Sequence, residues 1–138
     1  MNYVGKRRLL KLADFLEKLP PQKFNLNNWC VKDYKLSNTN EWDSIIVIRG
    51  KCGSTACALG YCPVVFPKSG FKLSNDLHWT PEYCGLEGTA AAEQFFDLLE
   101  SESVSLFMPE SYREDHKGPK SVAKKIRALV KRYESQKC

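Results

Sequence analysis

A glycine-flanked turn is the part of the sequence best suited to binding chemistry. It lies between Gly50 and Gly60 and contains, in succession, Lys51, Cys52, Gly53, Ser54 and Thr55. A β-branched run precedes the turn, and a short helix is predicted from Thr55 to Tyr61. The first amides of a helix lack backbone partners and carry partial positive charge, so they can bind an anion beside Lys51. Capping of the helix by the Ser54 and Thr55 hydroxyls is the other interpretation, and the sequence leaves both open.

Three tryptophans could complete a ligand site at this turn. Trp29, Trp42 and Trp79 lie in or beside segments predicted to be irregular, and an indole can stack on a nucleobase. With a phosphate held by the turn and its charge balanced by Lys51, these side chains would bind a small anionic, nucleotide-like ligand. Packing over a small core is the alternative role for aromatic side chains in loops.

Cys52 could instead act as a nucleophile. A thiol at a helix N-terminus and next to Lys51 would have its thiolate favoured, and His78 is the one credible general base. No third group that would orient the base is recognisable, and a structural histidine is the more common outcome. We therefore predict no catalytic residue, and an enzyme is the less favoured class.

The six cysteines do not follow the pattern of a metal site or of a disulfide framework. Cys52, Cys57 and Cys62 are spaced as C-x4-C-x4-C, whereas structural zinc sites pair cysteines at two to four intervening residues. Nothing in the sequence implies export, so reduced thiols are expected. Neither a metal nor a cofactor is predicted.

Helical periodicity is clearest at the two ends of the chain. Leu9, Leu12 and Leu16 recur at three-to-four-residue spacing and predict a first helix that ends at Pro20-Pro21. A last helix has Pro119 in its first turn and one apolar stripe formed by Val122, Ile126, Leu129, Val130 and Tyr133. Between them, an alanine-rich helix is predicted from Thr89 to Leu99 with Thr89 as its N-cap, followed by a short helical turn that Ser101 and Ser103 could cap.

A single β-branched run, Ser44 to Arg49, predicts a buried strand. With 138 residues the chain fits one domain, residues 1–138. We predict an α+β fold that is mainly α, with about four to five helices and a short β element.

Charge is divided unevenly along the chain. Residues 1–75 carry 12 basic and 5 acidic groups, residues 76–115 carry one basic and ten acidic groups, and residues 116–138 carry eight basic groups and one acidic group. The basic ends could be neutralised by the acidic middle, or the last helix could contact a partner through Lys124, Arg127 and Lys131. Because that helix lacks a base-reading pattern, nucleic acid is a less favoured partner than protein.

The overall composition excludes several classes of protein. Hydrophobic residues make up 43% and charged residues 27% of the chain, as in globular proteins, so a disordered chain is not expected. No run approaches the roughly 18 apolar residues of a membrane span, and the first residues alternate Lys and Arg with Leu. We therefore expect no membrane partner, no secretory signal and a cytoplasmic location.

Five segments carry a resemblance to known proteins. They are Phe24-Asn25-Leu26-Asn27-Asn28-Trp29, Cys52-Gly53-Ser54-Thr55-Ala56-Cys57-Ala58-Leu59-Gly60, Ala90 to Phe96, Leu106-Phe107-Met108-Pro109 and Val122-Ala123-Lys124-Lys125-Ile126-Arg127. In this order, after a leucine-rich helix, the chain resembles a family of small, largely uncharacterised phage and bacterial proteins with a C-G-T-x-x-C-A-x-G turn, in which Ser54 replaces Thr. The resemblance implies a shared fold and a phage-type source, and it supplies no catalytic residues.

The chemistry and the resemblance together lead to a functional hypothesis. The chain is predicted to be a non-enzymatic binding protein that sequesters a small anionic, nucleotide-like ligand, in a counter-defence role inside the host cell. The alternatives are a protein-interaction module that inhibits a host protein, and a thiol enzyme that uses Cys52 and His78.

Overall fold

The computed structural model describes residues 1–24, 30–31, 55–73 and 80–136, and the predicted strand Ser44 to Arg49 lies outside them. Within the described ranges the helices are α1 (Tyr3–Lys18), α2 (Cys62–Val65), α3 (Thr89–Phe96), α4 (Glu100–Phe107) and α5 (Pro119–Ser135). The strands are β1 (Cys30–Val31), β2 (Thr55–Ala56), β3 (Lys72–Leu73), β4 (Pro81–Tyr83) and β5 (Leu86–Glu87). The fold is mainly α with a short β element, which confirms the predicted class.

The first and last helices form where the apolar periodicity predicts them. Leu9, Leu12 and Leu16 of α1 are fully buried, and the chain leaves the helix before Pro20. The Asn2 side chain caps α1 by accepting a hydrogen bond from the Gly5 N–H at 2.7 Å. In α5, the predicted stripe of apolar residues faces the core, and Glu17 near the end of α1 lies beside Lys120 at the start of α5. Tyr133 near the end of α5 lies close to Asp97, which binds Asn2 at the start of α1, so the two helices run antiparallel.

The alanine-rich helix is shorter than predicted. It ends at Phe96 and not at Leu99, because Asp97 adopts a left-handed conformation with φ of 56°. The Asp97 carboxylate accepts a hydrogen bond from the Asn2 N–H at 2.8 Å, so it joins the end of α3 to the start of α1. At the other end Gly88, not Thr89, occupies the N-cap position.

Helix α4 is capped differently from the prediction. Leu99 occupies the N-cap, and its N–H donates to the Glu102 carboxylate at 2.9 Å. Ser103 is fully buried inside the helix, where its hydroxyl lies 3.0 Å from a Glu93 carboxylate oxygen. Glu102 therefore provides the cap that was assigned to Ser101 and Ser103.

The centre of the core is a cluster of aromatic rings around Phe95. Its ring packs edge-on against Phe66, Phe71, Tyr83 and Phe96, with centroid separations of 4.9, 5.1, 4.9 and 4.9 Å. Such edge-to-face pairs add to the free energy gained by burying the rings. The cluster joins α3 to α2 and to the sheet formed by β3, β4 and β5.

A two-residue turn connects β4 to β5, with Tyr83 paired to Leu86. Its two residues, Cys84 and Gly85, have φ values of 52° and 79°, as a type I′ turn requires. A side chain with a Cβ atom is disfavoured in this region, and asparagine tolerates it better than most residues.

Cys84→Asn is therefore expected to stabilise the protein. The free energy of unfolding should rise by about 0.5–1 kcal/mol, because asparagine relieves the left-handed strain at an exposed position. Chemical denaturation measures the effect, with Cys84→Ala as the control that removes the thiol and keeps the Cβ atom. Equal stabilities of the Asn and Ala variants would show that the left-handed conformation at Cys84 does not lower the free energy of unfolding.

Candidate functional site

Most of the residues predicted to bind a ligand lie outside the described part of the chain. Only Thr55 falls inside it, as part of a strand. The predicted ligand residues outside the described ranges are Lys51, Cys52, Gly53, Ser54, Trp29, Trp42 and Trp79, and the predicted base His78 is outside them as well.

The structure corrects the secondary structure predicted at Thr55. Thr55 and Ala56 form β2 and pair antiparallel with β1, with Val31 opposite Thr55 and Cys30 opposite Ala56. A turn follows, and the next helix begins at Cys62, so the helix predicted from Thr55 to Tyr61 is wrong. Its physical reason is the long-range pairing with β1, which suits a β-branched residue such as Thr55. No helix begins at Thr55, so the predicted anion site has no helix N-terminus to supply its amides.

The two described cysteines near this turn are core residues. Cys57 and Cys62 are 1% and 0% exposed, and burial raises the pKa of the Cys57 thiol to about 11. Burial also raises the pKa of Cys62, with a smaller contribution from the neighbouring Cys57. Both thiols are therefore protonated near neutral pH and poor nucleophiles. Among the described residues, no three His, Cys, Asp or Glu side chains are grouped as metal ligands.

Helix α5 presents a face of exposed cations, which we call the basic face. It consists of Lys120, Lys124, Lys131 and Arg132, all exposed to solvent. At about 100° per residue these side chains span about 120° of arc, opposite the buried stripe, and at 1.5 Å per residue they extend over about 18 Å. None of the four has an ion-pair partner in the described part of the chain. The basic face is therefore an exposed group of cations without ion pairs in these ranges, with Glu17 as an acidic neighbour of Lys120.

Arg127 differs from the other cations of α5. Its guanidinium donates to Asp14 at 2.5 Å and to Glu17 at 2.7 Å, so it links α5 to α1. Sequence reasoning grouped Arg127 with Lys124 and Lys131 as a partner-binding cation. The packing of the two helices instead gives it a partner within the chain.

The titration of Glu17 tests this link. The hydrogen bond from Arg127 holds the pKa of the Glu17 carboxyl below its ordinary value of 4.5. Because the folded state lowers this pKa, the contribution to stability is present above that value and is lost as pH falls through the folded pKa. We expect the Glu17 carboxyl resonance to titrate at lower pH in the wild type than in Arg127→Gln. Lys131→Gln should leave the titration unchanged, and an identical midpoint in all three proteins would contradict the link.

Lys125 also has a structural role. Its ammonium donates to the carbonyls of Ser105 and Ser111, both at 2.9 Å, and lies 4.0 Å from the centre of the Tyr112 ring. The Tyr112 hydroxyl donates to the Leu106 carbonyl at 2.6 Å. These donors satisfy the last carbonyls of α4, where a cation is also favoured by the helix dipole. Lys125 therefore contributes to the end of α4 rather than to the basic face.

Two surface concavities adjoin α5. The first, of about 460 Å³, is lined by Glu17, Lys120, Lys124 and Arg127. The second, of about 280 Å³, lies between α4 and α5 and includes Ala128 and Arg132 in its lining. Both are bordered by residues of the basic face, so an anionic partner could contact the face and a depression beside it together.

Comparison with protein-family models, with curated proteins and with solved structures finds no match for this chain. In the described ranges, no helix combines the length and the apolar character needed to cross a membrane.

Proposed function

We propose that this chain is a non-enzymatic binding protein whose anionic partner contacts the basic face of α5. The observation that supports the proposal is the exposed set of four cations without ion-pair partners in the described ranges. The neighbouring Arg127 shows the contrast, because the acidic residues of α1 neutralise it.

The basic face carries like-charge repulsion that an anionic partner would reduce. Lys120 and Lys124 are four residues apart on one helix, and like charges at this spacing destabilise a helix by about 0.2–0.5 kcal/mol. Binding an anion offsets this repulsion and speeds the encounter through the local field. The interaction should therefore weaken as salt screens the charges.

Charge reversal tests the proposal. The variant Lys120→Glu, Lys124→Glu, Lys131→Glu should bind an oligo-glutamate peptide at least about tenfold more weakly than the wild type at low ionic strength. Fluorescence anisotropy of the labelled peptide measures the affinity, and a short DNA duplex serves as a second anionic probe.

A matched control distinguishes the effect of where the reversed charges lie from the effect of the total net charge. The variant Arg7→Glu, Lys11→Glu, Lys68→Glu changes three exposed cations outside α5, none of them ion-paired in the described ranges, and alters the net charge equally. The proposal requires this control to retain most of the wild-type affinity. Equal losses in the two triple variants would mean that total charge, and not the basic face, determines binding.

A second candidate is the small anionic, nucleotide-like ligand predicted at the turn. It rests on the residue types of the turn, Lys51, Ser54 and Thr55, and on the three tryptophans. The counter-defence role rests on the family resemblance and belongs to this candidate. Native mass spectrometry of protein incubated with nucleotides, compared with Ser54→Ala, tests it. Retention of no nucleotide by the wild type would refute the candidate without affecting the basic face.

A further inference from the structure

The concavity between α4 and α5, called here the α4–α5 groove, has an apolar floor. The floor is formed by Leu106 of α4 and Leu129 of α5, and the exposed Ala128 lies at its edge. Because alanine is small, the surface is recessed beside the long side chain of Arg132, which lines the groove and belongs to the basic face. The groove is therefore continuous with the basic face.

The charged groups at the rim of the groove differ in whether they already have hydrogen-bond or ion-pair partners within the chain. Glu102 accepts hydrogen bonds from the Leu99 N–H at 2.9 Å and from the Tyr133 hydroxyl at 2.6 Å, one on each carboxylate oxygen. Lys125 is held by two carbonyls of the chain. Arg132 has no ion pair among the described residues, so it is the rim cation that can receive a carboxylate.

The size of the groove limits what can enter it. Its volume of about 280 Å³ is just below the range of about 300–1,000 Å³ that is typical of small-molecule sites. It suits one large apolar side chain, of the kind that anchors a peptide in a protein interface.

The composition of the rim distinguishes between the two classes of anionic macromolecule. A nucleic acid would bring phosphates towards the Glu102 carboxylate and has no apolar side chain for Leu106 and Leu129. An amphipathic peptide can place an apolar residue on that floor and its carboxylates on α5, away from Glu102. The charges of Lys124, Lys131 and Arg132 are complementary to such a peptide.

We propose that the α4–α5 groove, together with the basic face, binds an acidic amphipathic segment of a partner protein, with one large apolar side chain over Leu106 and Leu129. The segment's carboxylates pair with Arg132, Lys124 and Lys131. This inference rests on the proposed function of the basic face and adds the class of partner and the position of its anchor.

Selection from a surface-display library of random peptides, long enough for about four helical turns, tests the partner class without assuming a sequence. We expect the selected peptides to be enriched in Asp and Glu and to share a large apolar residue three or four positions from an acidic one. The strongest peptide should bind Ala128→Glu at least about tenfold more weakly than the wild type, since the new carboxylate fills and charges the groove.

Ala90→Glu is the matched control, because Ala90 is also an exposed helical alanine but lies on α3, outside the groove. Ala128→Gln, which adds bulk without charge, should also weaken binding. Circular dichroism and thermal unfolding verify that all three variants fold.

Three results would overturn the inference: no enrichment of acidic and apolar residues, equal affinity of the peptides for Ala128→Glu and Ala90→Glu, or tighter binding of a short DNA duplex than of any selected peptide. If the charge-reversal triple variant abolishes binding while Ala128→Glu does not, the basic face remains the proposed binding surface and only the groove is excluded as the anchor site.

Discussion

Gly5→Ala is expected to lower the free energy of unfolding by about 2 kcal/mol or more, after the roughly 1 kcal/mol gained in helix propensity is subtracted. A Cβ atom at Gly5 would lie 2.1 Å from the Phe96 carbonyl oxygen and 2.9 Å from its carbonyl carbon. These are backbone atoms at the end of α3, so α1 and α3 must separate to admit a methyl group. Urea denaturation followed by circular dichroism measures the loss.

Gly118→Ala is the control for this substitution. Gly118 is the N-cap of α5, and no atom of the described residues lies within 4 Å of a Cβ atom built there. Its replacement should cost less than about 1 kcal/mol, through the poorer capping propensity of alanine alone. If the two variants were equally stable, the close approach of α1 to α3 would not exist in solution.

Phe95→Ala is expected to cost about 3–5 kcal/mol, the range for removing a large buried aromatic side chain. Phe95 is 1% exposed and packs against four other rings. The Arg8 guanidinium lies 4.0 Å from the centre of its ring and donates to the Phe95 carbonyl at 2.7 Å. The substitution therefore leaves a cavity and removes a cation–π contact together.

Thermal and chemical unfolding of Phe95→Ala can be compared with Tyr3→Ala, which removes an aromatic ring that is 69% exposed. Tyr3→Ala should change the free energy of unfolding by no more than about 0.5 kcal/mol. A small effect at Phe95, comparable with that at Tyr3, would contradict the aromatic core.

Sequence alone predicts the elements whose apolar spacing directly reflects burial. Both α1 and α5 have long apolar stripes; α1 ends before Pro20 and α5 begins at Pro119, as predicted. The mainly α class follows from them, because these two helices and α3 supply nearly half of the buried hydrophobic residues. Periodicity succeeds here since it depends only on residues within one helix.

The corrected elements depend on contacts between distant parts of the chain. Asp97 ends α3 and binds the Asn2 N–H, a contact across 95 residues, which no local pattern contains. Thr55 forms a strand because β1 is its partner, although the local sequence also fits the start of a helix. In both places tertiary contacts outweigh propensity.

The candidate site was predictable in its charge and not in its details. The excess of basic residues in the last helix makes α5 a candidate for binding a partner, and Lys124 and Lys131 belong to the basic face. Arg127 and Lys125 have the same residue types and similar spacing, yet one pairs with α1 and the other caps α4. Only the arrangement of neighbouring helices separates the cations that can receive a partner from those that support the fold.

Mapping of amide chemical shifts during titration with an oligo-glutamate peptide measures where an anion binds. The proposed function predicts that the largest changes in the ¹H–¹⁵N spectrum fall at Lys120, Lys124, Lys131 and Arg132, with smaller changes on α1. Changes that were largest around Thr55 or on α3, with α5 unaffected, would contradict the assignment of the basic face as the binding surface.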